Sequence, residues 1–510
     1  MDKAFNIIDL FYLAAGNNPG KIAIIDKNRQ ISFSALETEI RSTSIYFKQK
    51  GIQKRDRVLV FVPMSIDLYR IVLALFHIGA TAVFLDEWVS KERMEQSCKV
   101  AQCQAFIGVF KARVFAHFSK ELRKIPIKLG VGYSTNKNAG VVSVEADSWG
   151  TALITFTTGS TGIPKAAKRT HKILYNQFTA LRELISPTED DVDLCALPIV
   201  LLINLAAGCT SVIADYNPRK PELMDAGKIY RQIKRYAVNR FVASPFFVKK
   251  LSVYLIHHHL SLPGLHKVFT GGAPVFPSDA VLFQKAFPHQ QVQIVYGSTE
   301  AEPISSIHTN DLAKEIQNTT QQGINTGIPH QQTKVKIIQL INEDISCTTE
   351  EELNAISLPA GSIGEIIVSG HHVVREYLHN EDAIRKNKIF VADECWHRTG
   401  DSGYLTTTGQ LYFTGRCNTL INRNGILIAP LVYENFFQAI GGVEIGTVME
   451  LNQQLTAVIE MNQSSLKENI EQQLKKCNYK FDDIKFIKKM PRDLRHHSKI
   501  DYEKLKQVLM

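Results

Sequence analysis

Apolar residues follow two alternating periodicities through the first third of the chain. Residues 22–25 and 57–62 are short apolar runs rich in β-branched side chains, as strands require. Residues 34–49 and 65–79 instead repeat apolar side chains at the spacing of an amphipathic helix. Strands and helices that alternate in this way predict an α/β domain with a largely parallel sheet.

The same rhythm continues downstream, where three apolar runs end in glycine-bearing loops. These loops cover residues 157–165, 271–275 and 296–300, and each follows a run with strand character. In open parallel sheets, ligands bind beyond the carboxyl ends of the strands, where such loops gather. The three loops therefore predict one ligand site.

Beyond residue 334 the pattern changes to short β-type runs separated by turn residues. Residues 334–415 predict a smaller antiparallel subdomain. A compact end piece follows, with a strongly charged helix at 463–476 and a basic tail at 485–499. Because 510 residues can form two or more domains, we predict a large N-terminal domain, residues 1–416, and a small α+β domain, residues 417–510.

The composition is that of an ordinary globular protein, with 45% hydrophobic and 21% charged residues. The net charge of +9 is spread along the chain and predicts only a mild attraction to anions such as nucleotides. No zinc-finger pattern, RNP-type pattern or basic stripe interleaved with aromatic residues stands out. We therefore expect no nucleic-acid partner.

One segment has the length of a membrane span, since residues 194–214 carry no charge over about 21 positions. Pro198, Asn204 and Gly208 interrupt it. A buried helix followed by a strand at 210–214 explains the same residues, so we expect no transmembrane span.

The N-terminal residues lack the uninterrupted apolar segment and the small-residue cleavage site of a signal peptide. The eight cysteines form no Cys-x-x-Cys pair, and several lie in apolar runs. These features predict reduced, buried thiols and a cytoplasmic protein.

The loop at 157–165, Thr-Thr-Gly-Ser-Thr-Gly-Ile-Pro-Lys, carries groups that suit an oxyanion. Gly159 and Gly162 allow backbone amides to approach closely, the hydroxyls add donors, and Lys165 adds a positive charge. The loop is not a Walker motif, because Pro164 stands where that motif requires glycine. The residue types alone fit either a polyphosphate site or a solvated turn.

The loop resembles the signature loop of the AMP-forming adenylating enzymes, which include acyl-CoA synthetases, peptide-synthetase adenylation domains and luciferases. Residues 296–300, Tyr-Gly-Ser-Thr-Glu, are similar to a second motif of that family. The resemblance implies that Tyr296 stacks on adenine, Thr299 contacts the α-phosphate and Glu300 holds Mg²⁺, a metal that prefers carboxylate and phosphate oxygens.

The later family motifs are also present, so the resemblance covers nearly the whole chain. Residues 398–401 match an Arg-Thr-Gly-Asp motif, which implies that Asp401 accepts hydrogen bonds from both ribose hydroxyls. Arg416 resembles the entry to the family's hinge, near ribose and phosphate. Asn418 stands at the swivel position, where the family usually has Asp or Lys, and residues 417–510 would form a mobile lid.

Lys499 precedes Ile-Asp, as the family's catalytic lysine does. The resemblance implies that it neutralises charge between the substrate carboxylate and the α-phosphate as they approach. Without the resemblance, the segment around it is equally well a solvated basic tail.

The resemblance thus assigns nucleotide binding to three loops and two later motifs: Thr157, Thr158, Gly159, Ser160, Thr161, Gly162, Lys165, Gly271, Gly272, Ala273, Tyr296, Gly297, Asp401 and Arg416. It assigns catalysis to Thr299, Glu300 and Lys499, with Glu300 as the metal ligand.

The activity implied is ATP- and Mg²⁺-dependent activation of a carboxylic acid to an acyl-adenylate with release of pyrophosphate. Thioester formation with coenzyme A or an acyl carrier protein would follow. Residues 197–202 are aliphatic apart from a proline, which favours a long-chain fatty acid over a polar substrate.

Two alternatives remain open. Residues 105–113, 272–275, 300–303 and 495–499 are similar to the family branch that contains the olefin-biosynthesis β-lactone synthetases, which close a β-hydroxy acid without coenzyme A. The alternative from another class is a catalytically inactive nucleotide-binding scaffold.

Overall fold

The structure, a computed structural model, describes residues 4–85, 91–133, 142–157, 164–317, 323–461, 466–476, 480–492 and 500–509. Two parts of the predicted site lie outside these ranges: Lys499, and the loop residues Thr158, Gly159, Ser160, Thr161 and Gly162.

The first part of the chain alternates helices and strands as predicted. The elements are α1 (Ile8–Asn17), β1 (Ile22–Asp26), β2 (Arg29–Ser32), α2 (Phe33–Gln49), β3 (Arg57–Phe61), α3 (Ile66–His77), β4 (Thr81–Phe84), α4 (Lys91–Ala101), β5 (Ala105–Gly108), α5 (Phe110–Ala116), α6 (Lys120–Lys124) and β6 (Ile127–Leu129).

The middle of the chain continues this alternation. The elements are β7 (Thr151–Thr157), β8 (Lys165–Thr170), α7 (His171–Ile185), β9 (Val192–Cys195), α8 (Pro198–Ala207), β10 (Thr210–Ile213), α9 (Ala226–Arg235), β11 (Arg240–Ala243), α10 (Pro245–His257), β12 (Lys267–Gly271), α11 (Pro277–Ala286), β13 (Gln291–Ser298), β14 (Ala301–His308) and α12 (Thr309–Lys314).

The remainder is richer in strands. The elements are β15 (Ile324–Pro329), β16 (Lys334–Ile338), α13 (Glu350–Ala355), β17 (Gly364–Ser369), β18 (Glu376–Tyr377), α14 (Glu381–Asn387), β19 (Lys388–Val391), β20 (Glu394–Leu405), β21 (Leu411–Arg416), β22 (Ile421–Arg423), β23 (Ile426–Ile428), α15 (Pro430–Gln438), β24 (Val443–Leu451), β25 (Gln454–Met461), α16 (Lys467–Lys476), β26 (Asp483–Ile487) and α17 (Tyr502–Leu509).

Two large sheets organise the described part of the chain. The larger has the order β16-β17-β20-β21-β15-β14-β13-β12-β11-β9-β10-β1-β2, with β19 beside β20, and the smaller has the order β18-β8-β7-β4-β3-β5-β6. From β13 to β1 the larger sheet is parallel, and so is the smaller sheet from β7 to β6. The predicted α/β fold class is therefore confirmed.

The connectivity of the sheets differs from the prediction in two places. Strand β1 pairs with β10 in the larger sheet, whereas β3 and β4, which follow it in sequence, lie in the smaller one. The antiparallel strands beyond residue 334 are not a separate sheet, since β14, β15 and β21 connect them to the parallel strands by hydrogen bonds.

One apolar core connects the two sheets. Ile24 on β1 and Val58 on β3 both belong to it. Helices α1, α2, α3, α7 and α8 contribute most of its other buried side chains, among them Phe11, Phe33, Leu36, Phe76, Leu201 and Ile203. Burial of these apolar surfaces holds the two sheets in a fixed relation.

The uncharged segment at 194–214 folds as predicted, into helix α8 followed by strand β10. Pro198 occupies the first turn of α8, where its missing N–H is harmless, and Gly208 ends the helix with a φ of 78°. Among the described residues, no helix has both the length and the apolar character needed to cross a membrane.

The C-terminal part builds a core of its own. Strands β24, β25 and β26 form one sheet, and α15 and α16 pack on it through side chains that include Phe437 and Leu474. The predicted basic tail is in part regular structure, because residues 483–487 form β26, which runs parallel to β25.

Seven cysteines lie in the described residues, and all seven are free thiols. Six of them are buried, and Cys417 is partly exposed. The expectation of buried thiols therefore agrees with the structure at six of these seven positions and not at Cys417.

Candidate active site

Two of the predicted loops lie side by side at the carboxyl ends of neighbouring parallel strands. Gly271 ends β12 and pairs with Val295 of β13, just before Tyr296. A Cβ atom on Gly271 would lie 2.4 Å from the Val295 carbonyl oxygen, so only glycine permits this approach. Gly272 has a φ of 85°, which also favours glycine.

Arg169 links the hairpin β7–β8 to the turn that follows β13. It lies on β8, the strand that follows the predicted phosphate loop, and its side chain is buried. One guanidinium nitrogen donates to Thr155 Oγ1 at 2.7 Å, and the other donates to the Thr299 carbonyl oxygen at 2.7 Å. Arg169 therefore connects the smaller sheet to the turn between β13 and β14 of the larger one.

Glu300 is a buried carboxylate at the centre of this junction. Tyr377 Oη donates a hydrogen bond to its Oε1 at 3.1 Å. Burial by itself would raise the pKa of Glu300, but His397, Lys388 and Lys165 outweigh burial, and with the Tyr377 hydroxyl they lower it to about 2. Glu300 is therefore ionised at any physiological pH.

Two lysines supply the positive charge around Glu300. Lys165 Nζ lies 5.5 Å from the centre of the Tyr377 ring and donates to Asn387 Oδ1 at 3.0 Å. Lys388 Nζ lies 5.3 Å from the same ring and donates to the Val374 carbonyl oxygen. The Tyr377 ring thus accepts two cation–π contacts while its hydroxyl holds the carboxylate.

Burial changes the protonation of the neighbouring groups. It lowers the pKa of Lys388 to about 8 and that of His397 to about 3, and it also lowers the pKa of Lys165. His397 is therefore neutral at pH 7, and Lys165 and Lys388 carry the charge that balances Glu300.

The residues around Glu300 suit Mg²⁺, which needs few protein ligands, better than a metal that is bound entirely by protein side chains. Within the described ranges, no three His, Cys, Asp or Glu side chains converge on a common metal position. Mg²⁺ is usually bound by one or two carboxylates together with substrate phosphates and water. An ionised carboxylate such as Glu300, with lysines nearby for the phosphates, has this chemistry.

A second charged cluster lies on the same side of the larger sheet. Asp401 accepts a hydrogen bond from Tyr296 Oη at 2.7 Å and another from Arg416 Nη1 at 2.6 Å. Asp401 and Arg416 are direct cross-strand partners on β20 and β21. Burial and then the Asp401 charge raise the pKa of Tyr296, so its hydroxyl keeps the proton that it donates.

The backbone around Asp401 makes room for Arg416. Gly400 has a φ of 68°, and a Cβ atom there would lie 3.0 Å from the Arg416 guanidinium. Arg398, of the Arg-Thr-Gly-Asp motif at 398–401, donates two hydrogen bonds to Glu365 on β17, at 2.9 and 2.7 Å. It therefore connects β20 to β17.

The structure thus brings together most of the described residues that the sequence singled out. Lys165, Thr299 and Glu300 meet at the sheet junction, with Gly271 at the end of β12 and Gly272 and Ala273 in the turn after it. Tyr296, Gly297, Asp401 and Arg416 lie along β13, β20 and β21. Their individual roles remain predictions, as do those of Thr157 and the residues outside the described ranges.

Four residues of the site were missed from the sequence: Arg169, Tyr377, Lys388 and His397. Lys388 begins the apolar strand β19, and a basic residue in such a place is a usable signal for a buried charge. Arg169 carries no such signal, because β8 has two further basic residues. Tyr377 carries no local signal, because its position follows from pairing of the two-residue strand β18 with β8.

Comparison with known proteins agrees with this geometry. A family model described as AMP-binding enzyme matches residues 11–378. The olefin beta-lactone synthetase of Xanthomonas campestris pv. campestris is 30% identical over 412 residues, which cover 76% of this chain and 72% of that protein. The 2-succinylbenzoate–CoA ligase of Enterococcus faecalis is 24% identical over 436 residues, 84% of this chain and 83% of that one.

A solved structure shares the whole fold. The O-succinylbenzoate coenzyme A synthetase of Bacillus subtilis, in complex with AMP, superposes with a TM-score of 0.78 at 20% identity, covering 98% of both chains.

The structure predicts that Tyr377 positions the Glu300 carboxylate. Tyr377→Phe keeps the ring under both lysines and removes only the hydroxyl that bonds Glu300. We expect the affinity for magnesium-ATP, measured by isothermal titration calorimetry, to fall by about ten- to a hundredfold, the typical worth of a hydrogen bond to a charged group.

Tyr412→Phe is the matched control, since the Tyr412 hydroxyl also donates to a carboxylate, Glu315 Oε1 at 2.8 Å, away from this cluster. Wild-type affinity in Tyr377→Phe, or an equal loss in Tyr412→Phe, would contradict the positioning role.

Proposed function

The chain belongs to the AMP-binding enzyme family, and on this basis we propose that it uses ATP to activate a long-chain carboxylic acid, forming an acyl-adenylate and releasing pyrophosphate. The observation that carries the proposal is the placement of two charged clusters, around Glu300 and around Asp401, at opposite ends of one short stretch of β13 and its turn. One cluster suits phosphates with their metal, and the other suits a nucleoside.

The Asp401 cluster would hold the adenosine. The Asp401 carboxylate suits the ribose hydroxyls, and Tyr296, whose ring packs 5.8 Å from Phe413, presents an aromatic face for adenine. Arg416, half exposed, would lie near the ribose and the α-phosphate. Hydrogen bonds and packing among these groups hold them in position, which limits the entropy lost on binding.

The Glu300 cluster would hold the phosphates. Glu300 would bind Mg²⁺, which supplies positive charge to the triphosphate. Lys165 and Lys388 add two further positive charges, and Gly271, Gly272 and the loop at 157–165 offer backbone amides. Thr299 would donate to the α-phosphate from the turn that Arg169 holds.

In the reaction itself, an oxygen of the substrate carboxylate attacks the α-phosphorus, and the bond to the pyrophosphate oxygen breaks. No covalent protein nucleophile is needed. Lys499 is proposed to stabilise the negative charge that accumulates between carboxylate and phosphate in the transition state.

A small apolar cavity, with a volume of about 60 Å³, supports an apolar group in the substrate's tail. It lies between α1, α3, α7 and α8 and is lined by Ile7, Leu10, Phe11, Leu73, Phe76, Leu174, Gln177, Phe178, Leu181, Ile199, Leu202, Ile203, Leu205 and Ala206. The residues at the start of α8 line this cavity, and α8 follows the carboxyl end of β9. That strand end lies at the same edge of the larger sheet as the nucleotide loops. Such a lining favours hydrocarbon over polar groups.

The second step has two candidates. Attack by the substrate's own β-hydroxyl on the adenylate carbonyl would expel AMP, lose the hydroxyl proton and close a β-lactone. Attack by a thiol of coenzyme A or a carrier protein would give a thioester. Greater identity to the β-lactone synthetase, 30% against 24% for the CoA ligase, favours the lactone, and the thioester expected from the sequence is the alternative.

We also propose that residues 417–510 act as a lid. Their separate apolar core, in which Phe437 and Ile459 are fully buried, supports a domain that moves as a unit. Asn418 lies exposed in the short turn Cys417–Thr419 between β21 and this domain. A cytoplasmic location, which reduced thiols favour, completes the proposal.

The product test separates the two second steps and the inactive scaffold. A β-hydroxy fatty acid and its plain analogue are incubated with ATP and Mg²⁺, with and without coenzyme A, and products are identified by mass spectrometry. We expect pyrophosphate release. We also expect a product that has lost water, formed without coenzyme A and only from the hydroxy acid.

Conversion of the plain acid that requires coenzyme A would establish the thioester route instead. ATP binding without turnover of any carboxylate would support the scaffold.

The proposed roles of Lys499 and Asp401 predict opposite kinetic signatures. Lys499→Ala should slow adenylation by about two orders of magnitude or more with nearly unchanged ATP affinity, because its interaction develops in the transition state. Asp401→Ala should weaken ATP binding, because the ribose is held in every state. Pyrophosphate exchange and calorimetry measure the two effects, and the reverse pattern would show that Lys499 is misplaced.

The lid proposal predicts nucleotide-dependent proteolysis. The hairpin β22–β23 is exposed, with Ile426 69% accessible, and tryptic sites at Arg416 and Arg423 flank the turn. Trypsin should cut there in the free protein and more slowly with ATP. The Asp401→Ala variant is the control that should lose this protection, and cutting indifferent to ATP in the wild type would indicate a fixed lid.

A further inference from the structure

Helix α5 carries its apolar side chains on the wrong face for a helix packed on a core. Its inward positions are the small residues Ala112 and Ala116, whereas Phe110, Val114 and Phe115 point outward. Phe118, just beyond the helix, is 73% exposed, and Phe110 is 72% exposed. Three exposed phenylalanines within nine positions form an apolar patch. Apolar surface residues scattered singly are ordinary, whereas a contiguous exposed patch marks an interaction site.

Positive charge surrounds the patch. Residues 110–128 contain six cations and one anion, a net charge of +5, the cations being Lys111, Arg113, Lys120, Arg123, Lys124 and Lys128. The anion, Glu121, is paired with Lys124 at 2.7 Å. The neighbouring Glu95 accepts hydrogen bonds from the backbone amides of Lys120 and Glu121, at 2.9 and 2.8 Å. These bonds hold its carboxylate against the backbone at the start of α6.

We propose that residues 110–128, which we call the basic aromatic surface, dock the enzyme on an anionic lipid membrane. Exposed apolar rings with flanking lysines and arginines are the combination that inserts into the headgroup region and is attracted by anionic lipids. The sequence-based expectation that no basic stripe is interleaved with aromatic residues is wrong for this segment, because α5 and the following turn bring both kinds of side chain to one exposed face.

The position of this surface relates it to the active site. Strands β7, β4, β3 and β5 are neighbours and run parallel, so their carboxyl ends lie at one edge of the smaller sheet. Strand β7 ends at this edge, at Thr157, and α5 follows β5 there, three strand spacings or about 14 Å away. Docking through α5 would therefore bring this edge of the sheet towards the bilayer.

Lipid fits the surface better than nucleic acid or a second protein. The exposed rings are all phenylalanine, without the polar tip of tyrosine or tryptophan, and Val114 adds an aliphatic side chain to them. A long-chain acid would itself partition into a bilayer, which adds to the case, but the argument from the surface stands without the proposed function.

The test is sedimentation of the full-length protein with vesicles of phosphatidylcholine, with and without phosphatidylglycerol. We expect the wild type to bind the anionic vesicles and to be released by salt, since the attraction is partly electrostatic. The double variant Phe110→Ser/Phe118→Ser should bind about tenfold less, while its far-UV circular dichroism remains that of the wild type.

The matched control is Trp149→Ser/Leu223→Ser, which removes two equally exposed apolar side chains, 74% and 70% accessible, elsewhere. Trp149 precedes the amino end of β7, at the opposite edge of the smaller sheet. The control should bind anionic vesicles as the wild type does.

Three results would overturn the proposal. The first is a wild type that does not bind anionic vesicles, and the second is equal binding by the Phe110/Phe118 variant. The third is a different occupant: a wild-type dimer that the double serine variant converts to monomer, or binding of a single-stranded oligonucleotide that the variant loses while vesicle binding is unchanged.

Discussion

The rest of the site depends on the need to balance one buried negative charge, the Glu300 carboxylate. A buried charge without partners is strongly unfavourable, so the fold has to supply cations and donors around it. Lys165 comes from β8 of the smaller sheet, Lys388 from β19 of the larger, and the Tyr377 hydroxyl completes the set. Because these groups come from both sheets, the charge is balanced only when the sheets are docked, and folding and assembly of the site are the same event.

The contact between the sheets has an apolar part and a polar part. The apolar core around α1, α3 and α8 supplies most of the buried area but is non-directional. Arg169 supplies direction, because its two hydrogen bonds join Thr155 in one sheet to Thr299 in the other. The polar bonds therefore fix the register of a junction that hydrophobic burial holds together, and the residues proposed to meet the phosphates lie at that junction.

Local patterns in the sequence predicted the elements better than their partners. Helix α8 follows from Pro198, Gly208 and the apolar run between them, all of which act within a few residues. Nothing local places β1 beside β10 instead of β3, or joins the antiparallel strands to the parallel ones. The family motifs identified Glu300 and Asp401, whereas Tyr377 and Lys388 join the site through strand pairing and burial, which the periodicity of a single chain does not encode.

Both oxygens of Asp401 already accept hydrogen bonds, from Tyr296 and from Arg416. A carboxylate can accept about four hydrogen bonds, so a ribose that bonds Asp401 would share the carboxylate with Tyr296 and Arg416. Arg416 is the residue immediately before the turn Cys417–Thr419. An orientation of the following domain that changes the Asp401–Arg416 pair would therefore change the affinity for nucleotide, and by thermodynamic reciprocity nucleotide would favour the tighter-binding orientation by the same factor.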